Sequence, residues 1–466
     1  MAHLANVFER FEGSQIQNDD SLPLCPMQTV AFHTLGCKLN FSETSTIARQ
    51  FRDAGWQRTD FPAVADVYVV NTCSVTENAN KECKQIVNRA MHANPDGKVI
   101  IVGCYAQLKP EEIANIPGVD LVLGATEKFN VLRYLDNLKK SEEAAVMACE
   151  IDQATTFVSA HSSGDRTRVF LKVQDGCDYS CSFCTIPLAR GKSRSDTIEN
   201  VVRQAMELVA DGVNEIVLTG VNLGDFGLRE GSTKYHDRFI DLAKALEEID
   251  GLERIRISSI EPNLLTEEVI RFVAASKKFV PHFHIPLQSG SEVMLKAMRR
   301  RYLRSLYTER IELINALMPN ASIGADVIVG FPGETDTYFM ETFNYLHQLN
   351  ITYLHVFTYS ERINTLAATM ADAIPMNVRK NRNRMLRNLS LKKQQAFYQS
   401  QLGKELPVLF EAERSGELMY GYTSNYIRVA HPYHESFVNK IINCQINTIN
   451  PEGFAEVILL GETISR

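Results

Sequence analysis

The order of apolar and polar positions divides the chain into parts with different patterns. In the first part, residues 29–150, short apolar runs alternate with longer amphipathic stretches. Four runs predict strands: TVAFHTL (29–35), VYVVNT (67–72), KVIIVG (98–103) and VDLVLG (119–124). Runs that are apolar on both faces, with helices predicted near 40–55 and 76–93, indicate an α/β domain built on a doubly wound parallel sheet.

A polar, Ser/Thr-rich segment, IDQATTFVSAHSSGDRT (151–167), predicts a linker. From residue 168 to 400 a second alternation follows. Six candidate strands stand in it: RVFLKVQ, EIVLTG, RIRISS, HFHIP, IGADVIVG and YLHVFTYS. Repeated strand–helix units of this length predict a partial (β/α)6 barrel.

The end of the chain changes pattern again. Residues 376–401 form one basic amphipathic stretch, which predicts a helix. Residues 401–466 then show short alternating runs, such as YGYTSNYIRVA and EGFAEVILLGE, broken by Gly, Asn and Pro. This pattern predicts a small antiparallel β-barrel.

Composition sets limits on this plan. The chain has 466 residues and a formal net charge of −7, so several domains are expected and a basic coat over the whole surface is excluded. A local basic face is still compatible with this charge. No apolar run reaches the roughly 18 residues of a membrane span, and residues 1–28 lack a secretory pattern. We therefore expect a flexible leader over 1–28 and a cytoplasmic protein.

Three of the ten cysteines lie within eight residues, in QDGCDYSCSFCTIP: Cys177, Cys181 and Cys184. They follow the first predicted barrel strand, at the end of the barrel where active sites lie. Thiolates bind iron–sulfur clusters and zinc alike. Three ligands without a nearby fourth favour a cluster with one open iron, and a zinc site completed by a distant ligand is the alternative.

Three further cysteines follow predicted strands of the first domain. Cys37, Cys73 and Cys104 stand in LGCKLN, NTCSV and VGCYAQ. The carboxyl ends of parallel strands meet at one edge of a sheet, where ligands bind. A single cysteine there is most often a buried structural residue, but three predict a second three-ligand cluster.

The first cysteine set, with Phe183 before its last cysteine, resembles the signature of the radical S-adenosylmethionine (SAM) superfamily. Together with the second set it resembles the methylthiotransferase family. Further segments are similar to that family in order: GCDYSCSFCTIPLARGKSRS, LTGVNLGDFG, RISSIEP, HIPLQSGS and ADVIVGFPGETD. The resemblance implies two [4Fe–4S] clusters and SAM in two roles. One SAM would methylate a sulfur at the Cys37, Cys73 and Cys104 cluster, and the other would yield a radical that takes hydrogen from C2 of an adenine.

The same resemblance implies further site residues. Thr219, Gly220 and Asn222 match positions near the amino group of SAM, and Gly330 matches the region near the adenine. Four more residues lie at predicted strand ends, at the same end of the barrel as the cysteines: Ser258, Glu261, Gln288 and Asp326. They either orient SAM or the substrate, or only satisfy hydrogen bonds of the barrel. Asn364 replaces a Gly of the family in RINTLAA, and Asn tolerates a positive φ, so we expect the turn to persist.

The C-terminal segment resembles a TRAM domain, an RNA-binding module. Basic and aromatic side chains there and on the preceding helix are candidate RNA contacts, although a basic helix face is most often only solvated. The candidates are Arg379, Lys380, Arg382, Arg384, Arg414, Tyr426 and Arg428. The run RRRY at 299–302 adds basic residues.

Short segments indicate the substrate. TLGCKLN and GCYAQ resemble the branch of the family that acts on N6-threonylcarbamoyladenosine next to the tRNA anticodon, whereas the N6-isopentenyladenosine branch tends to show GCQMN. A third branch modifies a ribosomal protein side chain. The resemblance implies a tRNA anticodon stem-loop as partner, an electron donor such as a flavodoxin or ferredoxin, and a monomer. A non-catalytic RNA-binding protein with structural metal sites is the alternative of another class.

Overall fold

The structure is a computed structural model that describes residues 27–73, 77–138, 140, 143–229, 232 and 234–460, with the side chains of 77–80 left out. Residues 1–26, which make up most of the predicted leader 1–28 and include Cys25, lie outside the described residues.

The N-terminal domain is a six-stranded sheet in which every recorded strand pair is parallel. Its strands are β1 (Thr29–Thr34), β2 (Gln57–Thr59), β3 (Val67–Thr72), β4 (Lys98–Gly103), β5 (Leu121–Leu123) and β6 (Ala145–Met147), and its helices are α1 (Lys38–Asp53), α2 (Glu77–Ala93), α3 (Cys104–Leu108), α4 (Pro110–Ala114) and α5 (Val131–Leu135). The strand order is β2-β1-β3-β4-β5-β6. Helix α1 packs into one apolar core through Ile47 and Phe51, and α2 packs into the other through Ile86 and Val87. The helices thus cover opposite faces, which confirms the doubly wound sheet.

The neighbouring strands β1 and β3 are followed by helices on opposite faces. This arrangement opens a crevice at their carboxyl ends, the usual ligand position in such sheets. Cys37 and Cys73 lie there.

The central domain contains nine strands and eight helices among the described residues. The strands are β7 (Ala160–His161), β8 (Arg168–Lys172), β9 (Gln174–Asp175), β10 (Arg194–Ser195), β11 (Glu215–Thr219), β12 (Arg254–Ile257), β13 (His282–His284), β14 (Ser322–Val329) and β15 (Tyr353–Thr358). The helices are α6 (Ile186–Arg190), α7 (Ile198–Ala210), α8 (Phe239–Glu247), α9 (Glu267–Ala275), α10 (Glu292–Ala297), α11 (Arg304–Leu317), α12 (Asp336–Gln348) and α13 (Met376–Gln399).

Six of these strands form the predicted partial barrel. Strands β8, β11 and β12 pair in parallel, as do β13, β14 and β15, and a bridge between Ile255 and Phe279 joins the two sheets. Alternate residues, such as Ile216 and Val327, face the helices in a large apolar core. Because strand side chains alternate between faces, the residues between them face the barrel interior.

The predicted linker 151–167 is partly structured. It contains a 3-10 turn (Ile151–Gln153) and strand β7, which pairs antiparallel with β8. Ser162 is buried, and its hydroxyl accepts a hydrogen bond from the amide of Phe170 at 2.8 Å. A two-residue strand leaves no periodic signal, so the polar composition of the segment concealed it.

The C-terminal domain is the predicted small barrel. It closes in the order β16-β17-β18-β20-β19, with β16 (Glu405–Ser415), β17 (Leu418–Thr423), β18 (Arg428–Pro432), β19 (Ile441–Ile449) and β20 (Ala455–Leu459). One pair, β18 with β20, is parallel, so the barrel is not wholly antiparallel. The domain lies against the amino ends of the central strands, where Arg254 donates to the carbonyls of Tyr422 (3.2 Å) and Pro407 (2.7 Å).

Within the described part of the chain, none of the helices combines the length and the apolar character needed to cross a membrane.

Candidate active site

A cavity of about 300 Å³ opens at the carboxyl ends of the central strands. Cys177, Cys181 and Cys184 line it together with residues from the ends of β11 to β15. Eight of the predicted site residues lie in its wall: the three cysteines, Phe183, Asn222, Glu261, Gln288 and Asp326. The cavity therefore lies at the end of the barrel where the sequence predicted the site.

The loop that carries the three cysteines is fixed by its surroundings. Gly176 has a φ of 71°, and a Cβ there would lie 2.0 Å from the carbonyl oxygen of Lys192, so only glycine fits. The amide of Gln174 donates to the carbonyl of Gly176 at 2.8 Å and to the hydroxyl of Ser193 at 2.9 Å. The cysteines therefore project from a preorganised loop.

Each of the three sulfur atoms accepts an N–H donor. The backbone amide of Tyr179 is 3.4 Å from Cys177 Sγ, and that of Ile186 is 3.4 Å from Cys184 Sγ. Arg300 Nη1 is 3.1 Å from Cys181 Sγ. Hydrogen bonds of this kind stabilise negative charge on metal-bound sulfur.

Burial raises the pKa of all three thiols, that of Cys184 to about 12. Free thiols here stay protonated at neutral pH, and binding of a metal or cluster must displace the protons. Among the described residues that line the cavity there is no further cysteine or histidine. The donor set therefore fits a three-thiolate cluster with an open position better than a closed zinc site.

Asn222 offers a group for a ligand. Its side-chain nitrogen donates to Asp225 at 2.8 Å, and its backbone amide donates to Gln174 at 2.9 Å. Its Oδ1 is buried and has no hydrogen-bond partner in the structure. Because buried acceptors are rarely left unsatisfied, this oxygen suits a bound donor such as the amino group of SAM.

Arg300 was missed as a site residue. The sequence suggested only a basic run at 299–302, yet Arg300 is buried, lines the cavity and forms an ion pair with Glu261. Burial is the main cause that raises the pKa of Glu261. Charge runs usually indicate solvated surface, so no local signal marked this arginine as internal.

Four predicted site residues do not line the cavity: Thr219, Gly220, Ser258 and Gly330. Thr219 donates its hydroxyl to the carbonyl of Val217 at 2.9 Å. A Cβ on Gly220 would meet Gln174, and one on Gly330 would lie 2.2 Å from Cγ of Arg379, so these glycines make room for side chains. Ser258 is buried, and its neighbour Ser259 lines the cavity instead.

The second cysteine set also converges. Cys37, Cys73 and Cys104 stand directly after β1, β3 and β4. Gly36 lies against Cys73, since a Cβ on it would be 2.6 Å from Cys73 Cβ. Asn40 ties the strand ends by donating to the carbonyls of Leu35 at 2.8 Å and Thr72 at 3.1 Å.

Two cysteines of this set, Cys73 and Cys104, are buried, whereas Cys37 is exposed. Burial raises the pKa of Cys104, and Arg190 and Cys37 are near enough to act on the same thiol. Helix α3, which begins at Cys104, packs against α6 of the central domain. Arg190 is the last residue of α6, so the two cysteine sets approach each other across this helix.

A buried ion network joins the two domains at this point. Glu43 is within 3.1 Å of Lys128, Lys172 and Arg190. Asp175 pairs with Lys172 (2.7 Å), Arg190 (2.9 Å) and Arg194 (3.5 Å). Burial alone would raise the pKa of Glu43, but the three cations hold it well below its usual value. We call these six residues the interdomain ion network.

A second cavity of about 380 Å³ borders the first through Thr185 and Arg362. Three lysines of the N-terminal domain line it: Lys81, Lys84 and Lys109. Asn364 also lines it, and its φ of 67° confirms the turn expected at that position. We call this the basic groove. The lysines are spread over 29 residues of sequence, so no charge run indicated it.

The predicted RNA contacts divide into two groups. Arg379 and Arg382 are buried and structural; Arg382, for example, pairs with Glu334 and Asp336 at 2.7 Å. Tyr426 stacks on His282 of the central domain, with ring centroids 4.2 Å apart. These three side chains are therefore engaged in contacts within the protein, which leaves them less available to RNA than the exposed candidates. Lys380, Arg384 and Arg414 are exposed, and Arg428 is half-buried over Tyr420.

Comparison with known proteins gives consistent matches. Residues 171–346 match the radical SAM superfamily, and residues 29–124 match a family described as uncharacterized protein family UPF0004. The chain is 42% identical to threonylcarbamoyladenosine tRNA methylthiotransferase MtaB of Bacillus subtilis (strain 168) over 90% of this chain and 94% of that protein. It is 39% identical to MtaB of Aquifex aeolicus over 86% and 96%, and 31% identical to tRNA-2-methylthio-N(6)-dimethylallyladenosine synthase of Endomicrobium trichonymphae over 89% and 96%.

Among solved structures, the fold is similar to that of the radical SAM methyltransferase TsrM from Kitasatospora setae. The TM-score is 0.52 at 14% identity, covering 71% of this chain and 72% of that one. This match supports the fold over that share of the chain.

A partial barrel whose carboxyl end presents three cysteines to a cavity defines a radical SAM enzyme. The chain belongs to the MtaB family of tRNA methylthiotransferases. Enzymes of this family use SAM and [4Fe–4S] clusters, as the sequence predicted.

Proposed function

We propose that the chain inserts a methylthio group at C2 of N6-threonylcarbamoyladenosine next to the anticodon of tRNA. One observation carries this proposal: two separate three-cysteine sets approach each other across the interdomain ion network. The substrate is the one named for MtaB of Bacillus subtilis and Aquifex aeolicus.

In this proposal the two cysteine sets have separate roles. Cys177, Cys181 and Cys184 would hold one cluster, and Cys37, Cys73 and Cys104 the other. When bound, the clusters and SAM supply the radical, the methyl group and the sulfur. Asn222 Oδ1 would accept a hydrogen bond from the amino group of SAM, while Arg300 donates to Cys181 Sγ. Burial of the network excludes water from the space between the sets.

The RNA would approach over the basic groove, which borders the catalytic cavity. Loop nucleotides of an anticodon stem-loop are unpaired, so a base is turned out without breaking a duplex. Lys81 and Lys84 then contact phosphates beside the target base. Four of the RNA contacts predicted from the sequence remain in this proposal: Lys380, Arg384, Arg414 and Arg428. The last two lie on a TRAM-like domain.

The remaining sequence expectations are also part of the proposal. They comprise domains at 29–150, 168–400 and 401–466, a cytoplasmic monomer, and a flavodoxin or ferredoxin as electron donor.

Anaerobic reconstitution tests the assignment of the two sets. We expect about eight irons per chain, reductive SAM cleavage, and methylthiolated nucleoside by mass spectrometry of a substrate stem-loop. Cys73→Ala should lose about half the iron and all methylthiolation while 5′-deoxyadenosine still forms. Cys149→Ala, at a cysteine outside both sets, is the matched control. Loss of 5′-deoxyadenosine formation in Cys73→Ala would contradict the division of roles.

Two competing functions have distinct outcomes in the same assay. Two zincs per chain without SAM cleavage would indicate a non-catalytic RNA-binding protein with structural metal sites. Methylthiolation of a dimethylallyladenosine stem-loop, or of a ribosomal protein, in place of the threonylcarbamoyl substrate would move the enzyme to another branch of the family.

A further inference from the structure

The interior of the central barrel below the cavity is polar. TIM-type barrels are usually filled with bulky apolar side chains, but the inward positions here carry ionisable and hydrogen-bonding groups. Arg254 and Arg256 on β12 and His282 and His284 on β13 are buried. Asp326 on β14 and Tyr353 on β15 are half-buried, and His355 on β15 is exposed. An interior of this kind needs a polar partner for every group.

The guanidinium groups of this interior already have partners. Arg168 pairs with Glu411 at 2.9 Å, and Glu215 pairs with Arg256 at 2.8 Å and with Arg254 at 3.7 Å. Arg256 also donates to the carbonyl of Ser424 at 3.1 Å. These contacts hold the C-terminal barrel in place, so the arginines are structural.

The carboxylate nearest the cavity is also engaged. Asp326 Oδ1 is 2.9 Å from His284 Nε2 and 3.3 Å from His355 Nδ1. Asp326 also lines the catalytic cavity. The polar interior is therefore continuous with the cavity, and Asp326 marks the junction between them.

Lys38 is the exception among these cations. It is the first residue of α1, directly after Cys37, and it is half-buried. Among the described residues, no carboxylate lies within 4.0 Å of its ammonium group and no hydrogen bond to that group is recorded. Its electrostatic neighbours are Tyr426, Arg168, Arg256 and Asp326, so the side chain points from the second cysteine set into the polar interior.

The surroundings of Lys38 are short of negative charge. Burial alone would raise the pKa of Tyr426, but Lys38, Arg168 and Arg256 lower it below the usual value for a phenol. Burial, followed by Arg256 and Lys38, holds the pKa of His282 well below its usual value, so this imidazole is neutral. Burial lowers the pKa of Lys38 itself, and Tyr426 and Asp326 offset this only in part. A bound anion would therefore stabilise the charged form of this side chain.

The substrate of the proposed function carries such an anion. The N6 arm of threonylcarbamoyladenosine ends in a carboxylate and a hydroxyl group, whereas a dimethylallyl arm is apolar. The adenine C2 must lie between the two cysteine sets, and Lys38 adjoins Cys37. The N6 arm of a base placed there extends toward the polar interior.

We propose that Lys38 binds the carboxylate of the threonylcarbamoyl arm and thereby selects an anionic N6 substituent. This inference rests on the proposed function, because that function names the arm. It assigns to Lys38 a role in substrate specificity separate from the cluster ligands beside it.

The test compares two stem-loops on the reconstituted holoenzyme. One carries threonylcarbamoyladenosine, and the other carries its methyl ester, which removes the negative charge and adds one methyl group. For the unchanged protein, both Kd and kcat/KM should favour the acid by roughly 10- to 100-fold, the usual worth of a charged hydrogen bond. Lys38→Met should bring this ratio close to one, and Lys38→Arg should restore most of it.

The ratio separates recognition from damage. Disturbance of the neighbouring Cys37 would slow both substrates equally and leave the ratio unchanged. Lys277→Met, at an exposed lysine far from the cavity, is the matched control and should keep the original ratio. An unchanged ratio in Lys38→Met would overturn the inference. If the unchanged protein methylthiolates neither stem-loop, the proposed function fails, and the Kd ratio still decides the role of Lys38.

Discussion

Replacing Glu43 with Gln tests whether the interdomain ion network holds the two cysteine sets together. The carboxylate is fully buried and lies 2.7 Å from Lys128, 3.0 Å from Arg190 and 3.1 Å from Lys172. Gln keeps the shape but removes the charge, which leaves four cations to share Asp175. Removing one partner of a buried ion pair typically costs about 3–5 kcal/mol. This corresponds to a roughly 150- to 5,000-fold increase in the local opening constant.

Hydrogen–deuterium exchange at pH 7 measures this opening directly. Peptides from α1 and α6 should lose protection by that factor in Glu43→Gln, and peptides from the C-terminal barrel should not change. Glu309→Gln is the matched control: its carboxylate pairs with Arg310 at 2.9 Å but is 64% exposed. An exposed pair contributes about 0–1 kcal/mol. Equal protection of α1 in the two variants would refute a structural role of the network.

The pH dependence gives a second measurement. The folded-state pKa of Glu43 is depressed below its ordinary value of 4.5, so its charge stabilises the fold above about pH 4.5 and loses that effect as pH falls. Each pH unit below 4.5 should remove about 1.4 kcal/mol more from the unchanged protein than from Glu43→Gln, because the other depressed carboxylates, such as Asp175, titrate in both proteins. The gap between their urea midpoints should therefore narrow from pH 4.5 to pH 3. A constant gap would contradict this assignment of the charge.

Three further outcomes are expected. Arg300→Met removes the donor 3.1 Å from Cys181 Sγ. The reduction potential of the cluster held by Cys181 should therefore fall in an EPR-monitored titration, and SAM cleavage should slow by about tenfold or more. An unchanged potential would contradict this. Lys84→Gln should lower the salt dependence of RNA binding by about one ion, whereas Arg382→Gln should leave the slope unchanged because Arg382 is internally paired. Asn364→Val should lower the thermal midpoint and Asn364→Gly should not, because φ at this position is 67°.

The sequence predicted what periodicity and spacing encode. Apolar runs located four of the six N-terminal strands and the six strands of the partial barrel to within a few residues, since a buried strand needs an unbroken apolar segment. The three-residue strands β2 and β6 are too short and too exposed to give this signal. The two cysteine sets were found because parallel strands bring their carboxyl ends to one edge, so residues 31 to 36 apart in the chain meet there.

The roles of other site residues could not be predicted, because they depend on contacts between elements that are distant in sequence. Arg300 resembles a surface residue in a charge run, and only the packing of the loop after α10 places it on Cys181. Glu43 is one of five buried polar residues of α1, and the local pattern does not indicate the three cations that other segments supply. The reverse case is seen for three residues whose type and position suggested RNA contact. Tertiary contacts bury Arg379 and Arg382 and place Tyr426 against His282.

Helix α6 determines how far apart the two reaction centres lie. It contains five residues, begins two residues after Cys184 and ends at Arg190, which contacts the second cysteine domain. An α-helix advances about 1.5 Å and turns about 100° per residue. One inserted residue would therefore lengthen the separation by about 1.5 Å and turn the terminal guanidinium away from Glu43. The number of residues between Cys184 and Arg190 thus sets the width of the space in which the substrate base must fit.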